Sequence, residues 1–396
     1  METKIIHITK ENIEATAKEA ADVWAQGGLV AFPTETVYGL GGNGLNKEAS
    51  KKIYAAKGRP SDNPLILHIA DMEQFYPLIK TDNEKIIARA EALADVFWPG
   101  PLTMILPKAD NIPYETTGGL DTVAIRMPSH LVARALLQEC KMPIAAPSAN
   151  LSGRPSPTSA SHVIEDMNGR IEMIIDGGDV GIGVESTIID LTGEVPMLLR
   201  PGFVTPEMLQ KVLGAVETDA AVYRQVGKDV HPKAPGMKYR HYAPKAPVTV
   251  VTGPAEASAR TILQMVKPGD GVICFDEFAE LFKEQEVECL GPSQDKRIQA
   301  QRVFDALRAF DSKDAAQIYA QCPDSQGLGL AISNRRASRP SPLDRSGWSL
   351  ASPAVPAPVR PARWRPSGIW AAGSSTATRC TMRCSGTARS CAMPSR

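Results

Sequence analysis

The chain has 396 residues, with 44 basic and 44 acidic side chains and a formal net charge of zero. That balance averages two unlike stretches: residues 335–396 carry 11 Arg, no Lys, no Glu and one acid, Asp344, which leaves 33 basic against 43 acidic residues, a net of −10, over residues 1–334. A hydrophobic content of 43% excludes global disorder, no run of about 18 apolar residues is present to span a bilayer, and the N-terminal Met1-Glu-Thr-Lys-Ile-Ile-His7 lacks the apolar stretch of a signal peptide.

These priors describe a cytoplasmic protein with two domains. A β-rich run at residues 5–8 precedes a helix over 12–26, with Ile13, Ala17, Ala20, Ala21 and Trp24 at helical spacing and Gly27-Gly28 as its stop. Residues 29–32 read as a buried strand, 47–56 as a helix, 65–69 as a strand and 83–96 as a helix. Strands follow at 102–106 and 122–126, then a helix at 131–139, then strands at 144–146, 173–175, 186–190 and 197–199. A helix over 205–213 has Pro206 in its first turn, where a missing N–H does no harm. The alternation predicts an α/β layered domain over residues 1–215.

Residues 216–246 are punctuated by Pro and Gly without periodicity, which reads as a linker. A smaller β/α series occupies 247–334, with strands at 248–251, 271–275 and 316–319 and helices at 257–266 and 297–310. Residues 335–396 show neither period and hold three of the five tryptophans, Trp348, Trp364 and Trp370. Their Arg-, Ser- and Pro-rich composition looks like a GC-rich gene read in a shifted frame, with a basic nucleic-acid-binding arm as the alternative. A disordered tail is expected there, and a second domain short of its last helical turns.

Cys140, Cys274, Cys289 and Cys322 are scattered singly, while Cys380, Cys384 and Cys391 cluster without a histidine, so no metal–sulfur site is expected. Gly39-Leu-Gly41-Gly-Asn-Gly44 is formally a GxGxxG, but Pro33–Tyr38 separates it from the preceding strand, and a lone match is weak. A better candidate is Lys57-Gly-Arg59-Pro60, followed by Asn63-Pro64. A point charge and a bidentate fork two residues apart can reach one polyanion, although a solvated turn would look the same. Ala145-Ala-Pro-Ser148-Ala-Asn150-Leu-Ser152-Gly153, Gly183-Val-Glu185-Ser186-Thr187 and Leu199-Arg200-Pro-Gly202 add hydroxyls, an amide, a carboxylate and a third cation. All these elements fall at strand ends, where open α/β sheets bind ligands. The inventory favours aligning a nucleotide with a small polar substrate over covalent nucleophilic catalysis.

Phe32-Pro-Thr-Glu-Thr-Val-Tyr-Gly-Leu40, Lys57-x-Arg59-Pro60 with Asn63-Pro-Leu65, Trp98-Pro-Gly-Pro-Leu-Thr103, Ala146-Pro-Ser-Ala-Asn150 and Gly183-Val-Glu-Ser-Thr187 resemble the Sua5/YrdC/YciO family. Pro235-Gly-Met-Lys-Tyr-Arg-His-Tyr-Ala-Pro244 resembles the linker of its long, two-domain Sua5 form. The resemblance implies a YrdC-like twisted open α/β catalytic domain, a linker, and a smaller Rossmann-like α/β Sua5 domain. It implies a nucleotidyltransferase that makes threonylcarbamoyl-AMP and pyrophosphate from L-threonine, bicarbonate and ATP. A downstream threonylcarbamoyl transferase machinery would then use the product for the t6A modification of tRNA. By the same resemblance Thr34, His68, Arg126, Ser186 and the backbone at Ala146 hold L-threonine. Arg59, Asn63, Thr122, Ser148, Ser156, Arg200 and His241 line the ATP side, Lys57 and Arg59 act on phosphate charge, and Mg2+ enters through the triphosphate. His241 further suggests that residues 237–244 close over the nucleotide as a lid.

Two alternatives stand beside this reading. Lys51, Lys52, Lys57 and Arg59 could form a patch for tRNA or double-stranded RNA, against which the net charge of −10 over residues 1–334 gives no long-range attraction to phosphate backbones. Carbamoyl transfer to another acceptor is the second, known in related maturation proteins with longer chains.

Overall fold

Successive side chains of a strand face opposite ways, and this alternation sorts the first domain's core. In the strand Val30–Phe32, Val30 and Phe32 join one apolar cluster while Ala31 joins another. The computed structural model describes residues 1–223, 232–235, 244–324, 326–336 and 349–351. Among these, eleven strands form one open mixed sheet in the order Lys4–His7, Met173–Asp176, Val30–Phe32, Gly39–Asn43, Ile144–Ala145, Ile66–His68, Thr122–Arg126, Leu102–Pro107, Thr187–Asp190, Met197–Arg200, Glu217–Thr218.

One face of the sheet is covered along its length. Leu67, Met104, Ile125, Ile174 and Ile189 are buried there beneath helices Lys47–Lys57, Glu84–Phe97, Ala160–Met167 and Pro206–Leu213. The opposite face is covered over only part of its width, where Val30, Phe32, Ile144, Met173 and Ile175 meet helices Ile13–Ala25 and Leu131–Cys140. Further along that face Ile66, Ile105, Ala124, Ile188 and Leu199 cluster with Ala234 of the connecting segment, and no helix residue of the described set joins them. This helix-free stretch is the floor of the site.

The glycine run read from sequence as a weak fingerprint is the strand Gly39–Asn43 and its exit. A Cβ on Gly41 would lie 2.8 Å from both the Phe32 ring and Ile144, and one on Gly44 2.3 Å from Leu67. Close packing between strands therefore explains these glycines, and their lack of side chains hid the strand's alternation. The helix Ala160–Met167 and the strand Glu217–Thr218 were also not anticipated. The latter pairs in parallel with Met197 and Leu198, so the first sheet continues past residue 215, where the linker was expected to begin.

Among the described residues the second domain has five parallel strands in the order Glu286–Cys289, Gly271–Cys274, Ile318–Cys322, Val248–Thr252, Ser349–Ala351. Val248, Val250 and Ile273 pack beneath helix Lys296–Ala309, while Val251 and Val272 face helix Ala255–Met265. A parallel sheet buried on both faces is the expected Rossmann-like layering. Helix Leu328–Arg336 adds buried Leu330, Ala331 and Ile332. Ser349–Ala351 pairs with Thr249–Val251, so at least this part of the tail expected to be structureless is a strand. Backbone pairing at a sheet edge needs no particular side-chain pattern, and composition could not reveal it. Residues 337–348 and 352–396 lie outside the described residues. Both domains belong to one compact unit, Met1–Pro353, and no described helix is long and apolar enough to cross a membrane.

Candidate active site

The site rises from the helix-free stretch of the sheet. His68 and Arg126 are register partners on neighbouring parallel strands, and Thr103 is the antiparallel partner of Arg126 on the other side. Alternation turns these three side chains to the face that carries Ile66, Ala124 and Ile105. Arg126 is buried and donates from Nη2 to Glu35 Oε1 at 2.7 Å, from Nη1 to Thr36 Oγ1 at 2.9 Å and from Nε to Gly100 O at 3.3 Å. Three of the five N–H groups of a guanidinium are thus used in holding it still. Thr34 shapes the loop that brings these partners in: its Oγ1 accepts the amides of Thr36 and Val37 at 3.2 and 3.3 Å and lies 2.7 Å from Val37 O.

Charge on this wall is arranged by those contacts. Burial alone would push the Glu35 carboxyl up, but the Arg126 guanidinium and the Ser129 N–H outweigh it and hold Glu35 below the usual carboxylate range. His68 has Nδ1 3.2 Å from Ile66 O and its ring edge-on to Phe32. Burial, reinforced by the Arg126 charge, pushes it down to about 3, so the imidazole is neutral at physiological pH. His68 can offer a substrate a hydrogen bond and no charge.

The opposite wall begins at a helix end. Gly58, at φ 60°, closes helix Lys47–Lys57, with Arg59 N bonded to Tyr54 O at 2.9 Å and Gly58 N to Ala55 O at 3.2 Å. This sharp stop leaves Lys57 at the cleft, 2% exposed, where Nζ donates to the carbonyls of Ser148 and Asn150. Its hydrogen-bond partners are neutral oxygens, and burial, then the like charge of Arg59, pull its pKa well below the lysine value. Arg59 donates to Asn63 O and Pro64 O at 3.2 and 3.0 Å. Arg200 donates from Nε to Ser186 O and from Nη2 to Ser186 Oγ, both at 3.0 Å, and reaches Pro235 O at 3.5 Å. Ser186 Oγ is also 2.7 Å from Thr103 Oγ1, which ties the two walls together.

These walls enclose a cleft with about 680 Å³ of open space, including solvent at its mouth. Thr34, His68, Arg126, Ala146 and Ser186 line it, and so do Lys57, Arg59, Ser148 and Arg200. Three expected ATP-side residues do not. Asn63 is buried, its carbonyl accepts Arg59 Nε, and its Oδ1 has no hydrogen-bond partner among the described residues. Thr122 pairs with Pro107 four positions along the strand from Arg126, about 14 Å away at about 3.4 Å per residue. Ser156 is buried and donates to Glu185 Oε1 at 2.5 Å. His241 lies outside the described residues, as do the other residues of 236–243.

Thr36, Asn150, Ser152 and Glu185 also line the cleft without having been assigned a role, and Glu35 stands behind Arg126. Their signal was present, since Glu35, Thr36, Asn150 and Glu185 lie inside the motifs already singled out. The four-residue basic patch does not form as an exposed surface: Lys51 pairs with Glu48 at 2.8 Å, Lys52 donates to Gly27 O, and Lys57 is buried.

A family model described as "Telomere recombination", for the Sua5, YciO and YrdC proteins, matches residues 22–202. A second, described as "Threonylcarbamoyl-AMP synthase, C-terminal domain", matches residues 204–338. The chain is 49% identical over 338 residues to the threonylcarbamoyl-AMP synthase of Pyrococcus abyssi (strain GE5 / Orsay), covering 84% of this chain and 96% of that one. It is 48% identical over 320 residues to the threonylcarbamoyl-AMP synthase of Bacillus subtilis (strain 168), covering 80% and 90% respectively. The crystal structure of P. abyssi Sua5 complexed with L-threonine is similar at a TM-score of 0.77 and 47% identity, covering 85% of this chain and 97% of that one. With both of its domains matched, the chain belongs to the Sua5/YrdC/YciO family in its long, two-domain form.

Proposed function

We propose that this chain is an L-threonylcarbamoyladenylate synthase, forming threonylcarbamoyl-AMP and pyrophosphate from L-threonine, bicarbonate and ATP. The observation that carries the reading is that one cleft holds Arg126 with neutral His68 on one wall and Lys57, Arg59 and Arg200 on the other. A carboxylate and a triphosphate can be bound there side by side.

The chemistry asks for alignment. The threonine amine and bicarbonate condense with loss of water to a carbamate. A carbamate oxygen then attacks the α-phosphorus of ATP, and the bond to the β-phosphate oxygen breaks, with pyrophosphate taking the electron pair. Arg126, steadied by Glu35 and Thr36, holds the threonine carboxylate with its remaining N–H groups. Thr34, His68, Ser186 and the backbone at Ala146 hold the hydroxyl and amine. Lys57, Arg59, Ser148 and Arg200 face the phosphates, where fixed cations stabilise charge that grows on the leaving group. Asn63 and Ser156 act from behind this wall.

A magnesium ion would be held largely by the triphosphate, and Glu185 is the carboxylate among the residues lining the cleft that could serve it. The ion offsets phosphate charge when bound. The product is the activated intermediate for t6A modification of tRNA, passed to a downstream threonylcarbamoyl transferase in the cytoplasm. Pyrophosphate release from ATP should require both threonine and bicarbonate. Turnover without threonine would reject the assignment.

A further inference from the structure

Helix Lys296–Ala309 of the second domain lies against the catalytic domain. At Gly183, φ is 82° and a Cβ would sit 2.4 Å from Gln301 Cα and 2.5 Å from Ala300 O, so the two backbones touch. Near the helix C-terminus Arg308 is 5% exposed and makes its hydrogen bonds to the first domain. Nε and Nη2 donate to Pro155 O at 3.1 and 2.7 Å, and Nη2 meets Asp166 Oδ2 at 2.7 Å. Asp166, 2% exposed, also pairs with Arg154 and accepts the Leu151 amide at 3.2 Å.

These bonds continue to the cleft. The Arg154 carbonyl accepts Asn150 Nδ2 at 2.8 Å. The Asn150 carbonyl accepts Lys57 Nζ, and the Lys57 carbonyl accepts the Ser152 amide at 2.9 Å. Residues 150–155 are therefore strung between a buried cation of the second domain and the ammonium that faces the cleft. The wall of Thr34, Glu35, Thr36 and Arg126 is bonded within itself and to Gly100, Ser129, Ile182 and Gly183. It meets the second domain through Val37 and, by way of Gly183, at Gln301, and not through Arg308.

We propose that Arg308 is a positioning residue for the nucleotide side of the cleft, holding the 148–155 segment, and through it Lys57, in register. The second domain is thereby part of the machinery that binds ATP. This inference rests on reading that wall as the ATP side.

Steady-state pyrophosphate release by the full chain tests it, with ATP and threonine varied in turn. Arg308→Gln should raise the KM for ATP by tenfold or more and leave the KM for threonine within twofold. Arg308→Lys should recover part of that loss, because it keeps a cation on Asp166 but not the fork that also reaches Pro155. A purely structural role would lower kcat through the active fraction, with both KM values unchanged, and that result overturns the proposal. An equal rise in both KM values overturns it too. If Arg308→Gln does not fold, the ratio of KM changes in Arg308→Lys decides, and an unaltered ratio refutes the role. Failure of the wild type to release pyrophosphate with threonine and bicarbonate would instead strike the functional reading, before any variant is compared.

Discussion

Lys57 offers a direct test of whether the cations in the cleft serve the fold or the reaction. Replacing it by Met keeps the length of the chain and removes the charge. In the free protein, the Ser148 and Asn150 carbonyls lose their donor, at about 1–3 kcal/mol each. Against that, a desolvated ammonium bonded to neutral oxygens disappears, which offsets several kcal/mol. Net stability should stay within about 2 kcal/mol of wild type. With ATP present the balance changes. A cation about 4 Å from a phosphate oxygen at an effective dielectric near 20 contributes about 4 kcal/mol, a factor of roughly 10³ in kcat/KM for ATP. Lys57→Met should therefore melt close to the wild type and release pyrophosphate about a thousandfold less efficiently. A variant that melts far lower yet keeps kcat/KM within tenfold would show that Lys57 is only a structural staple. The pH dependence adds a second readout: as pH rises through the depressed pKa of Lys57, the ammonium loses its proton and ATP affinity falls. That limb should be missing in Lys57→Met.

Three other perturbations follow from the same geometry. Glu35→Gln breaks a pair whose side chains are 4% and 12% exposed, so it should cost about 3 kcal/mol and raise the KM for threonine by loosening Arg126. Because the folded carboxyl of Glu35 lies below its unfolded value of 4.5, its contribution is present above that value and lost as pH falls through the folded pKa. The acid limb of a stability–pH curve should therefore be flatter in Glu35→Gln. Gly183→Ala combines a left-handed backbone with a 2.4 Å approach to Gln301 and should destabilise by about 2–4 kcal/mol, visible as a drop of several degrees in Tm. Ser186→Ala removes the hydroxyl between Thr103 and Arg200, and kcat/KM should fall about tenfold, equivalent to roughly 1.4 kcal/mol.

Much of the fold was legible wherever burial imposed a period. Thr122–Arg126 is a strand with the bounds that its alternation suggested, and helix Ile13–Ala25 turns Ala17, Ala20 and Trp24 inward at the expected spacing. The strand Gly39–Asn43 escaped notice because its glycines leave nothing to alternate. The site was legible as motifs at strand ends, which is why Thr34, His68, Arg126, Lys57 and Arg200 meet in one cleft. Depth was less legible. Ser156 sits in the right loop but spends its hydroxyl on Glu185, and Thr122 is on the right strand at the wrong end. Arg308 carried no local signal at all, since its role depends on Pro155 and Asp166 in the other domain.

The central claim is that the cleft joins threonine, a one-carbon unit and AMP in one product. Incubation with L-threonine, ATP and carbon-13 bicarbonate, followed by mass spectrometry of the nucleotides, tests it most directly. The account predicts a nucleotide with the mass of threonylcarbamoyl-AMP, heavier by one labelled carbon and formed together with pyrophosphate. AMP or ADP without that labelled adduct, in the presence of all three substrates, would contradict it.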